Sequence, residues 1–468
     1  RIDSSGNTRI TAGIVTTLTA TTGIVTTLTV DTARTTTGIV TTLTVDTART
    51  TTGIVTTLTA DTAKVGAAVT ISESGMEVTG VTTVTSSINI GSATTISSSS
   101  LEVNGVQYPT TGALSNRNLV INGAMRLAQR GTSSTSTGYL IDRFTVNFGQ
   151  ASITQSQQSL SSGSPYDEGF RYFHRSAVTS TSSANNAYLQ LEQRIEAQNM
   201  AGSGWKYKDS STNIICSFWA RSSLAGTYYV QYRALDSASG LFYINKSFTL
   251  VADTWTKVEH VIPGNSNLVF NDDEHNGFQI TIVPHYGTTY TDNSVAVGSW
   301  FTRSADNYFP DYAQNFTNTS SATFDVTGLQ LEVGEKATPF EHRSYGDELL
   351  RCERYYEVIG GRSEAFMGYA YTTSAAVASI RYRTVKRDIP GTITLSSAGQ
   401  STGEVTFLTA GGSYPTTTGT NVVQVISAQS FRVGGSGYSG LTDDSPSSFY
   451  VTGAADETTT IATVDAEL

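Results

Sequence analysis

Ile214-Ile-Cys-Ser-Phe-Trp-Ala220 and, shortly after it, Thr227-Tyr-Tyr-Val-Gln-Tyr232 are short runs of β-branched and aromatic residues. Such side chains are restricted at χ1 and favour extended backbone. Phe242-Tyr-Ile-Asn-Lys-Ser-Phe-Thr-Leu250, Thr256-Lys-Val-Glu-His-Val-Ile262, Gly277-Phe-Gln-Ile-Thr-Ile-Val283 and Val326-Thr-Gly-Leu-Gln-Leu-Glu-Val333 extend the pattern. Many short strands without long helical periods predict an antiparallel β-sandwich. A segment of about 225 residues is long enough to bury a substantial core.

Upstream, Gly-Ile-Val-Thr-Thr-Leu-Thr occurs four times, at residues 13–19, 23–29, 38–44 and 53–59. A unit that short cannot enclose a core and must bury its apolar positions against neighbouring units or other chains. Ile, Val and Thr favour extended structure, Leu43, Val45 and Thr47 share one side of a strand, and each Gly can mark a turn. A helix accommodates the period, with Ile39, Leu43 and Ile54 as its stripe, but Thr and Gly are poor helix formers and coiled-coil flanking charges are missing. The reading is a rod, continued by Ile88-Asn-Ile90 and Leu101-Glu-Val103. Three chains wound together would close its strand edges. The first aromatic is Tyr108, so the rod ends where core material begins.

The 468 residues carry a net charge of −10, with 15% charged and 38% apolar residues. That charge disfavours nucleic acid, whose binding needs Lys and Arg against phosphates. No apolar run of transmembrane length occurs, so no membrane insertion is expected. Cys216 and Cys352 are too few for a secreted disulfide scaffold and are expected to be free thiols. Arg1 is followed by no signal-peptide pattern, and that start is compatible with a fragment of something longer.

Beyond Ser344 a third zone opens with a short helix expected over 347–356, Asp347 and Glu348 lying at its positive end. Strands are then expected over 370–383, 391–395, 404–408, 421–426 and 448–452, with 434–440 as a flexible glycine loop. The expected organisation is all-β: a repetitive shaft over 1–110, a jelly-roll sandwich over 111–345 and a smaller C-terminal β-sandwich over 346–468.

Most candidate chemistry has a plain structural reading beside it. Asn271-Asp-Asp-Glu274 gathers oxygen ligands but lacks the spacing of a calcium loop, and reads as a solvated turn. The five histidines show no metal-ligand spacing, and no cofactor is expected. Glu192 and Glu196 could form a carboxylate pair for glycoside hydrolysis, but read as ordinary surface charge. Nucleophile elbows, phosphate loops and catalytic triads do not stand out. Trp219, inside an apolar strand, reads as core. Sugar sites combine flat rings with amides, hydroxyls and carboxylates. Trp300, Asp306, Asn307, Tyr308, Asp311 and Tyr312 offer that mixture in a long irregular stretch and are the candidate ligand-binding residues; Tyr286 and Tyr290 flank another surface loop.

Several motifs also resemble a known family. Asn118-Leu-Val-Ile-Asn-Gly-Ala-Met125 with Gln129-Arg-Gly131, Ile141-Asp-Arg-Phe144, Ser217-Phe-Trp-Ala-Arg221, Gly328-Leu-Gln-Leu-Glu-Val-Gly334 with Ala337-Thr-Pro-Phe-Glu-His-Arg343, and Glu348-Leu-Leu-Arg-Cys-Glu-Arg-Tyr-Tyr356 resemble a carbohydrate-binding-like jelly-roll module of bacteriophage tail fibres. The final Asp465-Ala-Glu-Leu468 is similar to endings seen in such fibres, and the repeats resemble fibre shafts of phages of marine cyanobacteria. The resemblance implies a virion appendage, assembled in the host cytoplasm and exposed outside. Its implied partners are two further copies of the chain, other tail or baseplate proteins and a host-surface glycan. A tailspike-type polysaccharide-degrading enzyme and a structural spacer without receptor binding are the alternatives. The repeats predict a homotrimer whose rod melts only as the chains separate. Native mass spectrometry checks this, and a stable monomer containing residues 1–110 overturns it.

Overall fold

The computed structural model describes residues 115–236, 242–302, 307–360, 364–396, 404–409, 419–451 and 460–468, together with the strands Ser87–Ile90, Thr94–Ser97, Leu101–Val103 and Val106–Tyr108. The four repeats, and so the reading of them as a shaft, lie outside the described residues. The four short strands form a consecutive antiparallel meander.

The central region is a β-sandwich with jelly-roll pairing. One sheet runs in the order Thr256–Pro263, Asn213–Ser222, Thr323–Val333, Tyr172–Ser180, Ser152–Ser159, Ser133–Ser134. The other runs Trp300–Thr302, Phe242–Leu250, Gly226–Ala234, Asn276–Tyr286, Tyr188–Glu196, Phe144–Gly149, Gly138–Tyr139. Neighbours are antiparallel throughout. Side chains alternate between faces along each strand. Ile214, Cys216, Phe218 and Ala220 meet Leu189, Leu191, Val230, Tyr232, Phe278, Ile280 and Ile282 in one buried core. Every strand expected in this region forms, each within a few residues of its expected ends. Trp219 is buried, as read, but on the other side of its strand, where it packs with Leu160, Phe170 and Phe173.

The C-terminal region is a second, smaller sandwich. A sheet ordered Val405–Thr409, Ser445–Val451, Ala365–Thr372, Ala375–Arg381, Ser430–Ser436, Thr420–Ile426 faces one ordered Tyr356–Ile359, Ala462–Asp465, Thr392–Leu395. Ile359, Ile461, Ala462 and Val464 from the smaller sheet share a core with Phe407, Phe431 and Phe449. Two expectations need correction. The single strand read over 370–383 is a hairpin that turns after Thr372, where the Ser374 amide donates to Thr372 Oγ1. The loop read over 434–440 begins as strand: a Cβ on Gly435 would lie 2.7 Å from the Phe407 ring, so glycine here permits close packing. The expected helix forms as Tyr345–Glu353, with the Ser344 hydroxyl capping the Asp347 amide.

The two sandwiches are joined by buried polar contacts. Arg143 is fully buried, pairs with Glu467 and lies 3.4 Å over the Tyr355 ring. Arg130 reaches Asp465 at 3.1 Å and Glu467 at 3.3 Å, and stacks on Tyr356 at 3.6 Å. Arg354 bonds both Glu196 oxygens at 2.8 and 2.9 Å, and Tyr355 Oη donates to the same carboxylate. Beneath them Asp142 accepts from the Gln129 side chain at 2.7 Å; burial pushes its carboxyl up to about 6 against that bond and the nearby Arg130 charge. Cys216 and Cys352 are separate buried thiols, and burial raises the pKa of both.

Removing one partner of a buried ion pair strands the other charge. Glu467→Ala is therefore expected to destabilise the chain by about 3 kcal/mol. Denaturant unfolding checks this, and a change below about 1 kcal/mol contradicts it.

Candidate functional site

The outward face of the seven-stranded sheet is built by the positions that alternate with its core residues. Strand register lines them up in two rows. Asn245 pairs with Gln231, Gln231 with Thr281, Thr281 with Glu192, and Glu192 with Thr145. One step along the strands, Phe301 pairs with Tyr243, Tyr243 with Arg233, Arg233 with Gln279, and Gln279 with Arg194. The face therefore carries amides, hydroxyls, a carboxylate and two guanidiniums across five strands, where the inward face carries Val, Ile, Leu and Phe.

The first row is closed and internally bonded. Gln231 Nε2 donates to Asn245 Oδ1 at 3.1 Å, and Asn245 Nδ2 donates to the Tyr308 carbonyl at 2.8 Å. Gln190 donates to one Glu192 oxygen and Arg194 Nη2 to the other, the latter at 3.2 Å. In the second row Arg233, Arg194 and Phe301 are partly exposed, whereas Tyr243 and Gln279 are buried and the Gln279 amide donates to Thr281 Oγ1 at 3.0 Å. The Arg233 guanidinium lies 5.6 Å over the Tyr243 ring and donates to no protein group among the described residues. Phe301 stacks on Tyr243 with centroids 5.9 Å apart.

Both ends of the face are bounded. At one end Phe309 is buried against Tyr229 and Val283, and Tyr308 packs edge-on against Tyr286 at 5.5 Å. Tyr286 also contacts Tyr188 and Tyr290, which extends a wall of tyrosines, and its Oη donates to Gln190. At the other end the C-terminal tail arrives: Arg194 and Tyr139 both donate to the Leu468 carbonyl, the latter at 3.1 Å. Burial holds His285, behind this wall, down at about 4, so it is neutral at ordinary pH.

The residues singled out in the sequence occupy mixed positions. Trp300 turns inward: its ring stacks on Phe242 at 5.1 Å and 8°, and its Nε1 donates to the Pro263 carbonyl at 2.8 Å. Phe301 is the ring of that strand that faces outward. Asp306 lies outside the described residues. Asn307 reaches Asp292 at 3.5 Å. Tyr308 sits in the tyrosine wall. Asp311 accepts from Thr291 at 2.5 Å and Asn293 at 2.8 Å, which pins the loop. Tyr312 lies edge-on to Tyr229 and donates to the Val283 carbonyl at 3.2 Å. The stretch thus packs by its own rings over one end of the sheet, and Tyr308 and Tyr286 bring its two proposed loops together.

Glu192 and Glu196 are not ordinary surface charge. Both are buried, the first bonded to Gln190 and Arg194, the second to Arg354 and Tyr355 at the junction. Burial raises the Glu196 pKa, and the bonds from Arg354, Tyr355 and Gln198 more than offset this, so it stays below the usual carboxylate range. In the 271–274 turn the Asp273 carboxylate accepts from the His275 amide at 3.0 Å. The rows on the sheet were missed in the sequence, although a signal existed. Leu189-Gln-Leu-Glu192 and Phe278-Gln-Ile-Thr-Ile282 alternate apolar residues with amides, hydroxyls or a carboxylate, where a plain solvent face would carry Lys and Asp.

No protein-family model matches the sequence, and no curated protein matches it. Among solved structures the chain is similar to a family 11 carbohydrate-binding module from Clostridium thermocellum, in complex with a mixed-linked tetrasaccharide. That likeness has 13% identity and a TM-score of 0.23 over 44% of this chain and 97% of that one. The enzymatically active domain of tailspike protein 4 from bacteriophage CBA120 is similar at 9% identity and a TM-score of 0.27, over 69% of this chain and 39% of that one. The N-terminal endo-1,4-β-D-xylanase 10B modules of Clostridium thermocellum, complexed with xylohexaose, are similar at 10% identity and a TM-score of 0.24, over 48% and 30%.

Trp300→Ala is expected to cost about 2 kcal/mol, roughly half the loss for a fully buried tryptophan, because half-buried packing and one hydrogen bond are removed. Thermal and denaturant unfolding check this. An unchanged stability would mean that the Trp300 ring is free for a ligand.

Proposed function

We propose that this chain is the distal part of a phage tail fibre whose central sandwich binds a host-surface glycan on the outward face of the seven-stranded sheet. The observation that carries the reading is the second row: Arg233, whose Nε has no acceptor among the described residues, lies between the Tyr243 and Phe301 rings on one side and Gln279 and Arg194 on the other. Guanidiniums and amides suit sugar hydroxyls, and ring faces suit sugar C–H surfaces. The tyrosine wall and the C-terminal tail limit how a chain of sugars can lie.

In this reading the chain binds and does not cut. Glu196 is committed to Arg354 and Tyr355, and so is not available as the second carboxylate that glycoside hydrolysis needs. Three copies of the chain, held by the repeats and attached to other tail or baseplate proteins of the virion, supply what one site lacks. A millimolar site contributes about −4 kcal/mol, and linking sites raises avidity by roughly 10²–10⁴ without a new contact.

A glycan array followed by titration of the best binder tests the proposal. Arg233→Ala with Phe301→Ala should weaken binding at least tenfold with the unfolding midpoint little changed. Binding like the parent's would place the site elsewhere, and release of shorter oligosaccharides would mark an enzyme.

A further inference from the structure

A separate cleft of about 460 Å³ lies beside the other sheet, where the turns before Tyr172, after Asn118 and after Phe340 meet. Its composition differs from the chain as a whole. Arg126, Arg171 and Arg343 line it together with Tyr345, Phe340 and His342. The two carboxylates in its wall are already engaged. Glu341 accepts from the amides of Arg117 and Asn118 at 3.2 and 3.0 Å and from Arg343 at 3.0 Å. Glu348 accepts from the Asn122 amide and from Arg343, the latter at 3.5 Å.

Neither Arg126 nor Arg171 has a carboxylate partner among the described residues. Arg171 donates to the carbonyls of Tyr166 and Phe170 at 3.0 and 2.8 Å and lies 4.0 Å over the Tyr166 ring. The Arg126 side chain is exposed, lies 5.0 Å over the half-exposed Tyr345 ring and makes no hydrogen bond among the described residues. Arg343, with a side chain only 7% exposed, leaves its Nε without a partner among the described residues. Phe170, Phe340 and His342 close the back of the cleft as a ring cluster with centroids 4.8 to 5.2 Å apart. The result is a locally cationic, ring-walled cleft on a chain whose net charge is −10.

We propose that this cleft is a second binding site, for an acidic saccharide. The sugar carboxylate would lie between Arg126 and Arg171, and its C–H face would rest on Tyr345. Guanidiniums recognise planar carboxylates with paired donors, and a ring set beside them admits the flat side of a pyranose. Arg126, Arg171 and Tyr345 are exposed, so the charge contact is open to screening by salt. The proposal does not rest on the sheet-face reading, which concerns different residues on the other sheet.

Titration of the full chain with tetragalacturonate, and separately with its fully methyl-esterified form, tests it. The acid is expected to bind at least tenfold more tightly than the ester, which keeps the ring shape and removes the charge. Arg126→Gln with Arg171→Gln should lower acid binding at least tenfold and leave ester binding unchanged. Raising salt from 50 to 500 mM on the unmodified chain should weaken the acid and not the ester, which keeps the test valid if the double variant folds poorly. Equal binding of acid and ester, a double variant that binds like the parent, or no binding of the acid would each overturn the proposal.

Discussion

The buried pairing of Arg143 with Glu467 ties the end of the chain to the first large strand of the central sandwich. Two residues before Glu467, the strand Ala462–Asp465 ends as the middle member of the three-stranded sheet. The tail therefore closes the C-terminal sandwich and reaches into the central one within a few residues. A charge pair taken out of water must be well bonded to be tolerated. Here Tyr355 stacks on the guanidinium, Arg194 offers it a carbonyl at 2.7 Å, and Arg130 supports the carboxylate. Arg387 adds donors to the carbonyls of Ala466 and Glu467, at 3.0 and 3.1 Å. Neither sandwich can shift against the other without exposing or unpairing these groups.

The motifs that carried the resemblance turn out to be the parts of this junction and of its neighbouring clamp. Asn118 holds the edge of the long strand Thr323–Val333: its Oδ1 accepts from the Val120 and Leu331 amides, and its Nδ2 donates to the Leu329 carbonyl. Gly123 sits where a Cβ would fall 2.0 Å from that same carbonyl, so the chain can approach only as glycine. Asn122, with φ of 60°, bridges Leu127 and Asp142. Arg343 gathers Glu341, Glu348 and two backbone carbonyls. These side chains have structural work in hand. The partners of these residues are backbone groups and one another.

The outward positions of the seven-stranded sheet lie outside these motifs. The outward face of the seven-stranded sheet is polar without being a simple solvent face, because Gln231 bonds Asn245 across strands and Glu192 bonds Gln190 and Arg194 along its own. Among the described residues, Tyr286, Tyr308 and Phe309 hold the loops at one end of it by ring contacts. The cleft by Arg126 is a different kind of surface, a gap between turns in which guanidiniums outnumber free carboxylates. Among the described residues no helix is long and apolar enough to cross a membrane, which says nothing of strands.

Strand identity was legible along the chain. Runs such as Phe242–Leu250 carry β-branched and aromatic residues that favour extended backbone wherever they lie, and the Tyr345–Glu353 helix announced itself through its acidic first turn. Local pattern also fixed the all-β class and the absence of disulfide-scaffold chemistry. It failed where a side chain's meaning depends on a partner far away. Glu196 looks like surface charge until Arg354, 158 positions later, is folded against it. Gly435 looks like part of a loop until the Phe407 ring, 2.7 Å from where its Cβ would lie, demands glycine. Trp300 and Phe301 are neighbours in sequence, yet strand alternation sends one into the core and the other outward, and only the register against Phe242–Leu250 decides which. Residue type sets what each segment can be, and the pairing of distant strands sets which groups meet, because ion pairs and ring contacts act over a few ångströms in space and not along the chain.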